Sequence, residues 1–260
     1  DRAEDALNRL EGTPFEAQAR LALLAIYERS RDWSHAASIA QKMHAADQGD
    51  FSTRQAHYLC EQALALSVQG DRAGAKALLE QAIEAAPDAA RARIELARLQ
   101  QLMGQPDAVL ATLQTLGERA PAALPLTAPL MVEAGNATGR QAEVLARLVA
   151  HYEQSPSLDV LESIVAMEAA NDATQATARA RYVQHLDKER SLVAAAKWLS
   201  AEKLEHEEFH PQIQRALEHA VKPLTRYRCA ACGFEARQHF WQCPGCQTWD
   251  SYPARRVEEL

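Results

Sequence analysis

Along most of this chain apolar residues recur at the three- and four-residue spacing of helices that bury one stripe. The pattern is already running at the start, through Ala3, Ala6, Leu7 and Leu10. It continues through Leu23, Tyr27, Trp33, Ala36 and Met43, and then through Ala63, Ala75 and Ala82. Ala97, Val109, Leu113 and Leu116 form the next set, and Met131, Val144 and Leu148 the one after. So many small residues at core positions predict helices that touch closely. Residues 157–220 keep the helical pattern in degenerate form, and helices are expected around 159–170, 173–187 and 191–206, in two or three further hairpins. Pro211 and Pro223 punctuate the exit.

The breaks between helices are periodic. Gly70 and Gly104 are 34 residues apart, as are Pro87 and Pro121, while Gly139 and Pro156 follow after another 35. Each glycine lies between two helical patterns, and each proline ends the second of the pair. That is the length and punctuation of a tetratricopeptide repeat. An earlier unit runs through Leu23, Trp33 and Met43, offset by a longer linker containing Gln48-Gly49-Asp50. Residues 1–11 read as the second helix of a preceding repeat. The competing reading, an ordinary helical bundle, requires two independent coincidences of spacing. Stacked repeats curve, and the first helices of successive units then line a concave surface suited to a peptide or protein. In this register the lining comprises Gln18, Glu28, His57, Glu61, Arg91, Glu95 and Arg98. The alternative for Arg91, Glu95 and Arg98 is a solvated helix face with ion pairs one turn apart.

Composition agrees with helices: 6% of the 260 residues are aromatic, and only ten are glycine. A net charge of −7 argues against free nucleic acid as a partner. No apolar run approaches the roughly 18 residues of a membrane span, and there is no signal peptide. The chain begins at Asp1 without methionine and enters directly into helical pattern, as expected of a fragment whose native N-terminus is missing.

After Thr225 the composition changes: Tyr227, Phe234, Phe240, Trp241, Trp249 and Tyr252 crowd around Cys229-Ala-Ala-Cys232 and Cys243-Pro-Gly-Cys246. Two such hooks, ten residues apart, can put four thiolates around one ion. The hooks carry turn residues, Gly233 after the first and Pro244-Gly245 inside the second. Two disulfides are the alternative, but disulfides within such hooks are strained and mainly redox devices. A closed four-sulfur shell leaves no position for water or substrate, so the site reads as structural, with zinc the expected ion and iron the alternative. So small a domain needs metal and aromatics to complete its core. The fold class is thus mostly α: a repeat superhelix over 1–221 and a small rubredoxin-like or zinc-ribbon domain over 226–253. The ribbon is expected to dock on the concave side or the final hairpins, around Trp198.

Two further motifs compete for attention. His206-Glu207-Glu208-Phe209-His210 matches a zinc-protease string, but Pro211 displaces His210 from a shared helical face and no third ligand is evident. Cys60 reads as a small core residue.

Repeats followed by Tyr227-x-Cys-x-x-Cys-Gly-Phe234 and Trp241-x-Cys-Pro-x-Cys-x-x-Trp249 resemble the lipopolysaccharide assembly protein B family across essentially the whole chain. The resemblance implies a bacterial inner-membrane protein with one N-terminal membrane helix, absent here, and a body facing the cytoplasm. It implies an adaptor, not an enzyme, that helps the membrane protease FtsH degrade the LpxC deacetylase, with other lipopolysaccharide assembly proteins as further partners. It also implies a rubredoxin-like metal domain packed against the repeats, with Cys229, Cys232, Cys243 and Cys246 as ligands. It identifies no groove residues. A rubredoxin-like electron carrier and a nucleic-acid-binding zinc ribbon remain alternatives. For the latter, Arg226, Arg228, Arg237, Arg255 and Arg256 are largely offset by Glu235, Asp250, Glu258 and Glu259.

Overall fold

The computed structural model describes residues 2–170, 175–201 and 210–260. The chain divides into two compact units, residues 1–121 and 122–260. In the first, α1 (Arg2–Asn8), α2 (Glu16–Ser30), α3 (Trp33–Ala45), α4 (Ser52–Gln69), α5 (Arg72–Ala85), α6 (Ala90–Leu102) and α7 (Pro106–Arg119) follow one another as antiparallel hairpins. Each helix packs on the next, and α4 also touches α6. The small residues expected from the pattern are in the core: Ala36, Ala63, Ala75, Ala82 and Ala97 are fully buried, as are Val109 and Leu116.

The repeat punctuation has a conformational cause. Gly70, Gly104 and Gly139 all take positive φ, where a side chain would strain the backbone. At the equivalent break between α2 and α3 the left-handed residue is Arg31, with φ 57°. The following helices start on caps: Asp32 accepts the N–H of His35, and Asp71 that of Gly74. Pro106 opens α7, where no intrahelical donor is needed.

The second unit opens after Pro121 with a short 3-10 turn and continues with α8 (Ala128–Thr138), α9 (Gln141–Gln154) and α10 (Leu158–Ala169). α11 (Gln175–Lys188), α12 (Leu192–Ala201) and α13 (His210–Val221) complete its helices. The degenerate stretch is thus helical where expected. The expected helices also include 173–174 and 202–206, which lie outside the described residues. Met131, Leu148, Leu161 and Ile164 form the core. Beside it Tyr152 Oη lies 2.6 Å from Nδ1 of His185, joining α9 to α11. After α13 the chain forms β1 (Tyr227–Arg228) and β2 (Glu235–Ala236), an antiparallel pair with Tyr227 opposite Ala236. All described structure is therefore helical except this small four-cysteine ribbon.

Candidate metal centre

The first hook is a tight knuckle at the end of β1. The Cys229 N–H donates to Phe234 O and the Gly233 N–H to Cys229 O, each at 2.9 Å. The second hook repeats both bonds: Cys243 N–H to Thr248 O and Gln247 N–H to Cys243 O, again at 2.9 Å. The fourth residue after each leading cysteine is left-handed, Gly233 at φ 77° and Gln247 at φ 60°. The two hooks therefore share one local geometry, with glycine at the strained position in only one of them.

The knuckles face each other and bring four sulfurs within 4.8 Å of one another. Cys229 Sγ lies 3.8 Å from Cys246 Sγ, and Cys232 Sγ 3.7 Å from Cys243 Sγ. A tetrahedral ion with sulfurs at about 2.3 Å has sulfur–sulfur edges of about 3.8 Å, so the donor set fits one ion. Hydroxyls and amides serve the sulfurs: Ser251 Oγ is 3.2 Å from Cys229 Sγ and Thr248 Oγ1 3.3 Å from Cys246 Sγ. Burial raises the Cys229 thiol, but Ser251 and the N–H groups of Cys232 and Ala231 outweigh it and bring it down to about 6. Thr248, through hydroxyl and N–H, lowers Cys246. At Cys232 the Phe234 N–H lowers the thiol, yet desolvation and bonds shared with the other sulfurs push it up to about 12. A cation at the centre of such a sulfur set would favour thiolates over thiols.

Under the sulfurs, Tyr227 and Tyr252 are buried with Cys229 and Cys243, and Leu126, Ala236 and Phe240 pack against them. His239 stands edge-on to Tyr227, Trp241 and Tyr252, and its Nε2 is 2.9 Å from Tyr252 O.

The ribbon is tied to the helices of its own unit by its C-terminal tail. Arg256 donates to both carboxylate oxygens of Asp159, at 2.6 Å from Nη2 to Oδ1 and 3.1 Å from Nε to Oδ2. The same guanidinium lies over the Tyr227 ring, 4.3 Å from its centroid, while the Tyr227 hydroxyl donates to Asp159 at 3.2 Å. Glu259 accepts the N–H of Leu158 at 2.8 Å, at the start of α10. Glu258 accepts the N–H groups of Leu192 and Val193 at 2.6 and 3.1 Å, and the Ser191 hydroxyl at 2.7 Å, at the start of α12. Carboxylates at helix N-termini satisfy orphan donors and complement the helix dipole. The tail bonds fall within the final hairpins, as expected, but at the starts of α10 and α12 and not around Trp198.

The residues assigned to the concave lining divide into two groups. Gln18 is exposed. Glu28 is half-buried and accepts the Tyr58 hydroxyl. His57, Arg91 and Glu95 are buried, and Arg91 donates to Glu61 at 2.6 Å while its Nη1 lies 3.4 Å from Nδ1 of His57. Arg98 is exposed and bonds Glu95 at 3.1 Å. The structure therefore joins His57, Glu61 and Arg91 across α4 and α6, and pairs Glu95 with Arg98 within α6. Arg91 and Glu95 are not a solvated face, because the stacked helices close over them. These helices also expose apolar side chains, Leu64 and Val68 on α4 and Leu102 on α6.

His206 to Phe209 of the protease-like string lie outside the described residues. His210 opens α13 and its Nε2 is 3.3 Å from Leu199 O. Cys60 is buried, and burial pushes its thiol up to about 12. Sequence reasoning missed Asp159 entirely and read Arg256, Glu258 and Glu259 only as charges. Their partners are 65 to 101 residues away, and no local pattern marks them.

Comparison with known proteins gives a consistent picture. Residues 227–252 match the family model described as a rubredoxin metal binding domain, and residues 69–128 match a tetratricopeptide repeat model. The chain is similar to lipopolysaccharide assembly protein B of Escherichia coli strain K12, 26% identical over 267 residues that cover 100% of this chain and 68% of that protein. It is 25% identical to the Haemophilus influenzae protein of the same name, covering 96% of this chain and 64% of that one. Among solved structures, the tetratricopeptide protein YrrB, described as having an unusual peptide-binding site, aligns with a TM-score of 0.44 and 16% identity over 76% of this chain and 97% of that one.

Proposed function

Starting from this chain being a homologue of lipopolysaccharide assembly protein B, with its repeats and its ribbon, we propose that it is a non-enzymatic adaptor regulating lipopolysaccharide synthesis. In this reading it works at the cytoplasmic face of the bacterial inner membrane and presents the LpxC deacetylase to the protease FtsH. Residues 1–221 serve as the capture module and 226–253 as the metal module. The observation that supports the reading best is that the likeness runs through both modules and covers 100% of the chain. The site chemistry agrees: a closed sulfur shell has no position for a substrate, and zinc in it would hold the ribbon together and leave catalysis to partners.

The capture surface proposed here is the exposed stripe of Leu64, Val68 and Leu102, flanked by Arg98. Val68 and Leu102 are 34 residues apart and so occupy the same position in successive repeats. Exposed apolar side chains in register are a docking feature more than a folding one. A binding titration of the metal-loaded chain against purified deacetylase and the cytoplasmic part of the protease tests the adaptor reading. Binding to both is expected; binding to neither by a folded, loaded chain would sink it. Elemental analysis tests the ion: one zinc per chain is expected, and stoichiometric iron with a visible thiolate-to-iron band would replace it.

A further inference from the structure

The four sulfurs are not equally reachable. Cys229 and Cys243 are buried, whereas Cys232 and Cys246 are exposed. Two close sulfur–sulfur contacts run between the hooks, and each joins one exposed cysteine to one buried one: Cys246 to Cys229 at 3.8 Å and Cys232 to Cys243 at 3.7 Å. We propose that this cluster is also an oxidation site for hydroperoxides, in which each hook supplies one attacking and one resolving cysteine. The exposed thiolate of Cys246 attacks the O–O bond of hydrogen peroxide. Its sulfur loses two electrons and becomes a sulfenic acid, and the other peroxide oxygen leaves as hydroxide. The Cys229 thiolate then attacks the sulfenyl sulfur, forming the S–S bond and expelling a second hydroxide. Cys232 and Cys243 react by the same two steps. In total, two thiolates and one peroxide become one disulfide and two hydroxides.

The contacts between facing knuckles favour these pairings over the within-hook disulfides that a Cys-x-x-Cys spacing by itself invites. Consuming two of four donors opens the shell, so oxidation and metal retention are alternatives. Cys60 is an internal control in the same molecule, because it is fully buried.

The test treats the zinc-loaded chain with hydrogen peroxide and follows zinc with a colorimetric chelator while peptide mapping locates disulfides. The expected products are Cys229–Cys246 and Cys232–Cys243 disulfides, with zinc released in step and rebound after dithiothreitol and added zinc. The four ribbon thiols should be lost on the order of tenfold faster than Cys60. The Cys60→Ser chain should release zinc at the same rate, which removes any dependence on that residue. Disulfides confined to Cys229–Cys232 or Cys243–Cys246 would overturn the proposal. So would irreversible oxidation without disulfide, or retention of zinc while Cys60 reacts.

Discussion

Arg91 has 4% of its surface exposed, with its guanidinium against Glu61 and His57. Removing one member of a fully buried pair costs about 3–5 kcal/mol, and because Glu61 is partly exposed the low end applies here. Arg91→Glu is therefore expected to lower stability by at least that much, seen as a lower urea midpoint, and is no probe of partner binding. Arg98, at 53% side-chain exposure, makes a different experiment. Reversing it is expected to cost no more than about 1 kcal/mol. Spacing along a helix showed these positions sharing a face, but burial depends on what stacks over that face. Arg31 offers the opposite lesson. It holds a left-handed conformation that glycine holds at Gly70 and Gly104. Arg31→Gly is expected to raise stability by up to about 1 kcal/mol, since the strain of an L side chain there is removed. An unchanged or lower urea midpoint would argue against that account.

At the scale of elements, the starts of α10 and α12 depend on a distant segment. Removing Arg256 leaves the largely buried Asp159 without its two-pronged partner. Arg256→Ala is expected to cost about 2–4 kcal/mol in chemical unfolding of residues 122–260, with faster amide exchange at Leu158 and Val193. The tail's charges are visible in the sequence, but their targets are not, since no periodicity links positions nearly a hundred residues apart. Helices α9 and α11 set a pH dependence. Burial lowers the pKa of His151; burial also lowers that of His185, with Glu189 and Glu258 opposing and Lys188 assisting. The unfolded chain then binds more protons than the folded one once pH drops below about 6.5. Stability from these two histidines is present above that pH and is lost as pH falls through their folded values. Burial raises the carboxyl of Glu259, which has the opposite sign and acts in the more acidic carboxylate range. Melting temperature is expected to fall between pH 7.5 and 6, and a His151→Gln, His185→Gln chain should show a flatter profile.

For the molecule as a whole, the ribbon and the helices of its unit form one structure joined through the tail. Chelating the ion is expected to unfold residues 226–253 while most helical circular dichroism persists, because the ribbon core is too small to stand without its ion. Protection of the Leu158 and Val193 amides should drop in the same experiment, since the tail that caps them continues directly from the ribbon. A ribbon that stays folded after complete metal removal would contradict this. On the capture surface, Val68→Glu with Leu102→Glu is expected to weaken partner binding at least about tenfold while shifting stability by less than about 0.5 kcal/mol per site. The side chains are 90% and 65% exposed, so little folding energy rides on them. Unchanged affinity would move the capture surface elsewhere.

The sequence by itself determined what is local or periodic. Paired cysteines three residues apart specify their own knuckles. Recurring glycines specify left-handed breaks, and small residues at helical spacing specify hairpins that pack closely. Those features need only near neighbours and a repeat length to be legible. Tertiary structure decided which charges are buried, as with Arg91 and Glu95, and where the ribbon is held, through Asp159, Arg256, Glu258 and Glu259. It also decided which sulfurs pair across the hooks and which face solvent. Each of these depends on surfaces brought together from distant parts of the chain, and contact of that kind leaves no period in the sequence to read.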